Sequence, residues 1–455
     1  MRSLGTFKVI AFCVAAQLGV LVMALGSGPV TPSQVSEGSE EELARAFELL
    51  GNMLGFPEVD LDELKQRVEE VGELRFTESV PIDFMSRDEL AEYIGQLFEE
   101  EYPPRVAEKD ERMLRAFGFL SAKEDLRAIR EKVLNENVAG FYDERAGAKK
   151  LFAISTVSSE ESLNLMNQLI LSHELRHALQ DQYLDLRATL GEGTDYDDRR
   201  LAALSLFEGD ATLLMEMYLG SGAAPPDGSV GKGKGMGQEV LDGLFGFGGA
   251  GTDARAMAEM FAGPELKNAP PVVREQLIVP YLEGKQLAAE IYRRGGFSLL
   301  NRSLQDPPRS MEQVLHPEKY LDKRDEPIDV NLIEAVGEPV ESEGQLGELL
   351  IRVLFEGKIG RRDAARAAQG WGGDRYALWP DERGNYRLVW RTAWDSEEDG
   401  DEFLEILTRY ASLQYGQGVT PSADAGEITL EGADGSQTTI RRSGREIVLD
   451  RRGFE

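Results

Sequence analysis

The chain has 455 residues, enough for two or three domains, and 42% of them are hydrophobic, which excludes a disordered composition and allows a sizeable core. The formal net charge of −31 repels phosphate backbones, so nucleic acid is not an expected partner. The single cysteine, Cys13, leaves no intramolecular disulfide, no thiolate metal site and no cysteine nucleophile in the body of the chain.

Val9 to Leu25 carries no formal charge and follows Arg2 and Lys8, the layout of an export signal. The run is shorter than the ~20 residues that a spanning helix needs, so residues 1–27 read as a cleaved signal in preference to an anchor. The body is then exported, periplasmic or extracellular, and meets a membrane only if residues 9–25 are retained as an anchor. Residues 28–39, rich in Gly, Ser and Pro, form a linker. Residues 40–135 show helical periodicity throughout.

Two β-like runs follow, Val138 to Tyr142 and Leu151 to Ile154, joined by the turn chemistry of Asp143 to Gly147, which predicts a hairpin. Ser158 with Glu161 reads as a capping box that opens a long helix reaching about Leu186. After a loop from Gly191 to Tyr196, a second helix is expected from about Asp198 to Leu219. Gly220 to Thr252 is dominated by glycine and reads as a long loop with one short helical piece near 239–244. Helices return from Ala254 to Leu321, broken at Gly263-Pro264, Pro270-Pro271, Gly295-Gly296 and Pro307-Pro308. From about Glu343 the pattern is α+β: helices near 345–355 and 397–410, a strand at 388–392, and a closing hairpin from Glu427 to Leu449. The fold class is therefore α+β, with a mainly helical core over 136–342 and a small C-terminal α+β region over 343–455.

The chemistry concentrates in His173-Glu-Leu-Arg-His177. Residues four apart lie one helical turn above each other, so the two imidazoles can converge on one ion. Glu174 stands where it can reach a water on that ion without being a ligand. The chain has only 3 histidines and two of them fall in this motif; chance would place one there on the order of a few times in a thousand. Leu163, Met166, Ile170, His173 and His177 form a stripe that faces a core. A catalytic zinc commonly takes three protein ligands and keeps one open position. Glu208 is the candidate third ligand, because it interrupts the apolar stripe Leu201, Leu204, Ala211 and Met215, where a carboxylate wants a cation. Gly209 beside it removes bulk where two helices must approach. Asp210 and Asp181 are candidates to orient a ligand imidazole from behind.

His173-Glu-Leu-Arg-His-Ala-Leu-Gln-Asp-Gln182, followed by Phe207-Glu-Gly-Asp-Ala211, resembles the gluzincin class of zinc metallopeptidases. More narrowly, the chain resembles a little-characterised group of exported bacterial HExxH proteins. Val138 to Asp143, Pro307 to Pro317, Gly370 to Asp374 and Trp394-Asp395 fit that group, and the likeness spans roughly Glu136 to Phe403. It implies a zincin-like fold, one Zn2+ per chain and a peptide or protein substrate laid along an edge strand, here the hairpin from Val138 to Ile154. Best-known gluzincins carry a second Asp four residues after the Glu ligand, where this chain has Thr212.

The implied reaction is hydrolysis by a metal-activated water, with Glu174 as general base. His316, Tyr320 and Tyr142 are candidate donors to the developing oxyanion or contacts to the substrate, with His316 favoured. Two other readings stay open: a zincin scaffold that only binds a partner, and a zinc amidase acting on envelope material.

Overall fold

Side-chain caps set the helix starts in the N-terminal part. Helix α1 (Leu61–Gly72) opens at Asp60, whose carboxylate accepts from the Glu63 amide. Helix α2 (Arg87–Glu101) opens on a full capping box between Ser86 and Glu89. Helix α3 (Pro104–Phe117) starts on a proline, and α4 (Leu126–Asn137) is capped by Asp125. The computed structural model describes residues 56–138, 140–145, 147–154, 162–190, 196–221, 255, 262–332, 340–416, 420–422 and 427–454. The export segment, the linker, the Ser158–Glu161 box and nearly all of the glycine-rich stretch lie outside the described residues. No helix among the described residues is long and apolar enough to cross a membrane.

The predicted hairpin is present as β2 (Gly140–Asp143) and β3 (Lys150–Ile154), paired antiparallel. It belongs to a three-stranded sheet of order β1-β3-β2, in which β1 (Ile82–Met85) runs parallel to β3. This corrects the reading of 40–135 as helical and separate. The strand is only Ile-Asp-Phe-Met, too short to show a period of two, and its pairing partner lies far along the chain. The N-terminal region thus completes the core sheet.

Against this sheet lies α5 (Leu165–Leu184), followed after left-handed Asp185 by α6 (Leu186–Leu190). The cap of α5 is Asn164, whose side chain accepts from the Asn167 amide at 3.0 Å, so the helix begins later than the Ser158 reading placed it. Helix α5 is buried on nearly all sides over 165–181, not on one stripe alone. Helix α7 (Asp198–Ser221) is equally enclosed and ends close to where the sequence placed it. After α8 (Pro264–Asn268), the long α9 (Pro271–Ser303) packs along α7. The expected break at Gly295-Gly296 is a kink inside α9, where both glycines leave helical angles. At the α7–α9 crossing, a Cβ on Gly209 would run into the Gly284 carbonyl, so the close helix approach expected at Gly209 is present and its partner is α9.

Two short helices, α10 (Met311–Leu315) and α11 (Glu318–Leu321), lead to the C-terminal region. There α12 (Gly347–Ile359), α13 (Arg361–Ala368) and α14 (Glu397–Tyr415) pack together and against a seven-stranded antiparallel sheet. Its order is β4-β5-β6-β10-β9-β8-β7, with β4 (Ser342–Gly344), β5 (Trp371–Pro380), β6 (Tyr386–Trp394), β7 (Thr420–Ser422), β8 (Glu427–Glu431), β9 (Gln437–Ser443) and β10 (Glu446–Phe454). The sequence reading missed β5, because it is buried on both faces and shows no alternation. It also merged β8, β9 and β10 into one hairpin.

Candidate metal centre

Helix α5 presents His173 and His177 one turn apart, and α7 brings Glu208 to meet them. His173 Nε2 and His177 Nε2 each lie 3.3 Å from Glu208 Oε2, and 3.0 Å from each other. Ligand atoms about 2.0–2.1 Å from a tetrahedral zinc stand about 3.3 Å from one another, so this triangle has the size of one face of such a site. Direct hydrogen bonding satisfies the triangle poorly. If both imidazoles donate to the shared oxygen, their two hydrogens face each other across the short N–N edge. A cation resolves that conflict, and two imidazoles with one carboxylate suit zinc.

All three side chains, and Glu174 beside them, are 0% exposed. Neither carboxylate oxygen of Glu174 has a hydrogen-bond partner among the described residues, and Glu208 Oε1 has none either. Burial pushes the Glu174 carboxyl up to about 8; His177 pulls it down, Glu208 adds to the rise, and the Tyr142 amide pulls down weakly. Burial lowers His173. Burial acts the same way on His177, but the Glu208 carboxylate together with Glu174 and Gln180 outweighs it and the net direction is up. Glu208 itself is lowered, its burial being offset by the two imidazoles.

Behind the triangle, Gln180 Oε1 lies 2.8 Å from His177 Nδ1. The Gln180 amide nitrogen donates to Phe207 O at 3.0 Å and to Asp210 Oδ2 at 2.8 Å. Arg176 grips Asp210 with two bonds, 2.6 Å from Nε and 2.9 Å from Nη2, and also reaches Asn301 and the Gly72 carbonyl. Asp210 therefore touches no imidazole; it acts one residue removed, through Gln180. His173 Nδ1 and Thr212 Oγ1 have no partner among the described residues. The ring of His173 instead lies nearly parallel to that of Tyr281 from α9, 6.1 Å between centroids.

The other sequence candidates lie elsewhere. Asp181 accepts from the Tyr142 hydroxyl at 3.0 Å and the Leu186 amide at 3.1 Å, with Lys149 at 3.3 Å, so it ties β2 to the end of α5 in place of orienting a ligand. Tyr142 sits on edge strand β2, its phenol held above the ordinary tyrosine range by burial and by Asp181, and so remains a donor. His316 pairs with Glu348 at 3.1 Å, and the Tyr320 hydroxyl donates to the Asp306 carbonyl at 2.9 Å. Neither bonds to the triangle among the described residues; His316 joins the core to the C-terminal region, whereas Tyr320 ties α11 to the end of α9 within the core. Glu312, Asp325 and Asp395 also converge there, but the Lys319 ammonium stands among them at 2.6, 3.1 and 2.9 Å.

Gln180, Arg176, Asn301 and Tyr281 were not singled out from the sequence. Only Gln180 carried a signal: it lies three residues after His177 on the same helix, where side chains meet. Residues 335–451 match a family described as a domain of unknown function, DUF8575. No curated protein and no solved structure matches the chain.

Proposed function

We propose that the chain is a zinc-dependent hydrolase of zincin-like architecture that cleaves peptide bonds. The observation that carries this reading is the triangle of His173 Nε2, His177 Nε2 and Glu208 Oε2, beside a fully buried Glu174 carboxylate that no side chain among the described residues satisfies. A zinc ion held by these three residues would supply Lewis acidity toward a carbonyl and acidify a water.

Glu174 accepts a proton from the attacking water and delivers it to the leaving amine. A carboxylate next in the chain to a ligand histidine is placed to reach such a water without binding the ion itself. Strand β2 lies at the edge of its sheet and packs on α5, which suits an extended peptide added alongside it. A site built only to hold metal has no use for a buried Glu174 that no side chain among the described residues satisfies, which favours catalysis over a pure binding role. Because the four side chains are fully buried, a polypeptide reaches them only once covering chain moves aside.

The test joins metal content to turnover. Purified protein is expected to hold about one zinc per chain and to cleave members of a peptide library, with activity lost to a chelator. Glu174→Gln keeps the shape but cannot take a proton, so zinc stays and turnover falls by orders of magnitude. Unchanged turnover in that variant sinks the mechanism. Zinc binding with no peptide hydrolysis, set against cleavage of envelope-type amides, would move the substrate class.

A further inference from the structure

We propose that Gln180 is a positioning residue that sets the tautomer of His177 and ties together the two helices that carry the metal ligands. The inference rests on His177 being a ligand, as the proposed function has it. It follows from donor and acceptor types alone. The Phe207 carbonyl accepts only, and so does an ionised Asp210 carboxylate gripped by Arg176. Gln180 lies within hydrogen-bond distance of both, so its NH2 must face them and its carbonyl must face His177. A carbonyl oxygen cannot donate, so His177 Nδ1 carries the proton. In the neutral ring, Nε2 then turns a bare lone pair toward the triangle, the state that a metal requires.

Two features make an amide the fitting group here. The bidentate Arg176 guanidinium balances the Asp210 charge, and all of Arg176, Asp210, Gln180 and His177 are 0% exposed, so the relay passes a dipole and no net charge to the imidazole. A carboxylate at 180 would set its oxygen against the Phe207 carbonyl and the Asp210 carboxylate, three acceptors with no proton between them. Gln180 also bonds α7 at Phe207, one residue before Glu208, while holding His177 on α5. One side chain thus spans the ligand-bearing helices and fixes their spacing.

The experiment measures zinc affinity of the full chain by chelator competition, with nitrogen NMR of the His177 ring as a second readout. Gln180→Leu is expected to weaken zinc binding about 10- to 100-fold and, in the zinc-free protein, to abolish the single protonated-Nδ1 signature of His177. Gln180→Glu is expected to weaken it too, because a carboxylate there meets two acceptors, and urea unfolding of the zinc-free variants separates a folding defect from a loss of metal affinity. Zinc affinity within twofold of the parent in both Gln180→Leu and Gln180→Glu overturns the relay alone. Full zinc retention in His177→Ala overturns the ligand set and the relay with it.

Discussion

Gly209→Ala isolates the geometry that brings Glu208 to the two histidines. The added Cβ would overlap the Gly284 carbonyl and stand 2.6 Å from the Lys285 amide nitrogen, where ordinary contact begins at 3.4 Å. All of the obstructing atoms are backbone, so no side-chain rotation relieves the overlap. The nearest approach, 2.1 Å to the Gly284 carbonyl, means that helices α7 and α9 must part by roughly 1 Å or more, against the overpacking cost of about 1–3 kcal/mol typical of a well-packed interior. Glu208 is the adjacent residue and moves with the backbone. A ligand set tolerates only about 0.2 Å in its distances, so metal affinity falls beyond what the loss of stability explains. Gly357→Ala is the matched control. It lies on the exposed side of α12 and its Cβ would meet nothing within 4 Å, so it is expected to gain up to about 1 kcal/mol from helix propensity. Urea unfolding of the zinc-free proteins gives the stability change, and chelator competition gives zinc affinity. A Gly209→Ala protein with the parent's urea midpoint and zinc affinity would refute the close crossing as the device that places Glu208.

Three further outcomes follow from named contacts. Asp374 accepts from the Leu346 and Gly347 amides and from the Trp371 and Trp390 indoles; in Asp374→Asn one oxygen becomes an NH2, two buried donors lose their acceptor, and urea unfolding is expected to show a loss of about 2–6 kcal/mol. The Glu348 carboxylate raises the His316 pKa against its burial, with Glu312 and Glu318 adding to the rise. The resulting stability is fully present below the unfolded histidine value of about 6.5 and is lost as pH rises through the higher folded value. Between pH 6 and 8 the parent should therefore lose stability relative to His316→Gln, and parallel pH profiles of the two would refute the pairing. Zinc at about a hundred times its dissociation constant should stabilise the chain by about 2.7 kcal/mol, read as a higher melting temperature that vanishes with chelator and in His177→Ala; an unshifted melting temperature in the parent would count against a folded-state metal site.

The structure also shows what the other phrases quoted for the resemblance do. Gly370 to Asp374 ends in a buried carboxylate that closes α12 onto β5 and β6, a structural task. The phrase from Pro307 to Pro317 supplies Glu312 and His316, and Trp394-Asp395 supplies Asp395, all at the seam where Lys319 gathers acids from both sides. A titratable residue in a recognisable phrase reads the same whether it serves chemistry or an interface, because the phrase does not say what lies opposite.

What the sequence determined by itself was set by local spacing. Two histidines four residues apart, an acid beside the first and a carboxylate within an apolar stripe are all readable at one helical turn, and the structure brings those side chains together. The long helices, their proline and glycine breaks and the hairpin before α5 follow from the same short-range rules. The tertiary structure alone decided which groups stand behind the ligands. Asp210 lies two residues from Glu208, yet it is held by Arg176 and reaches His177 only through Gln180. Strand β1, the β5 strand and the α7–α9 crossing partner were likewise settled by contacts between distant segments. A helix turn is fixed by neighbours four residues away, whereas a hydrogen-bond partner across two helices depends on how they pack, and that is written in the summed fit of the whole core.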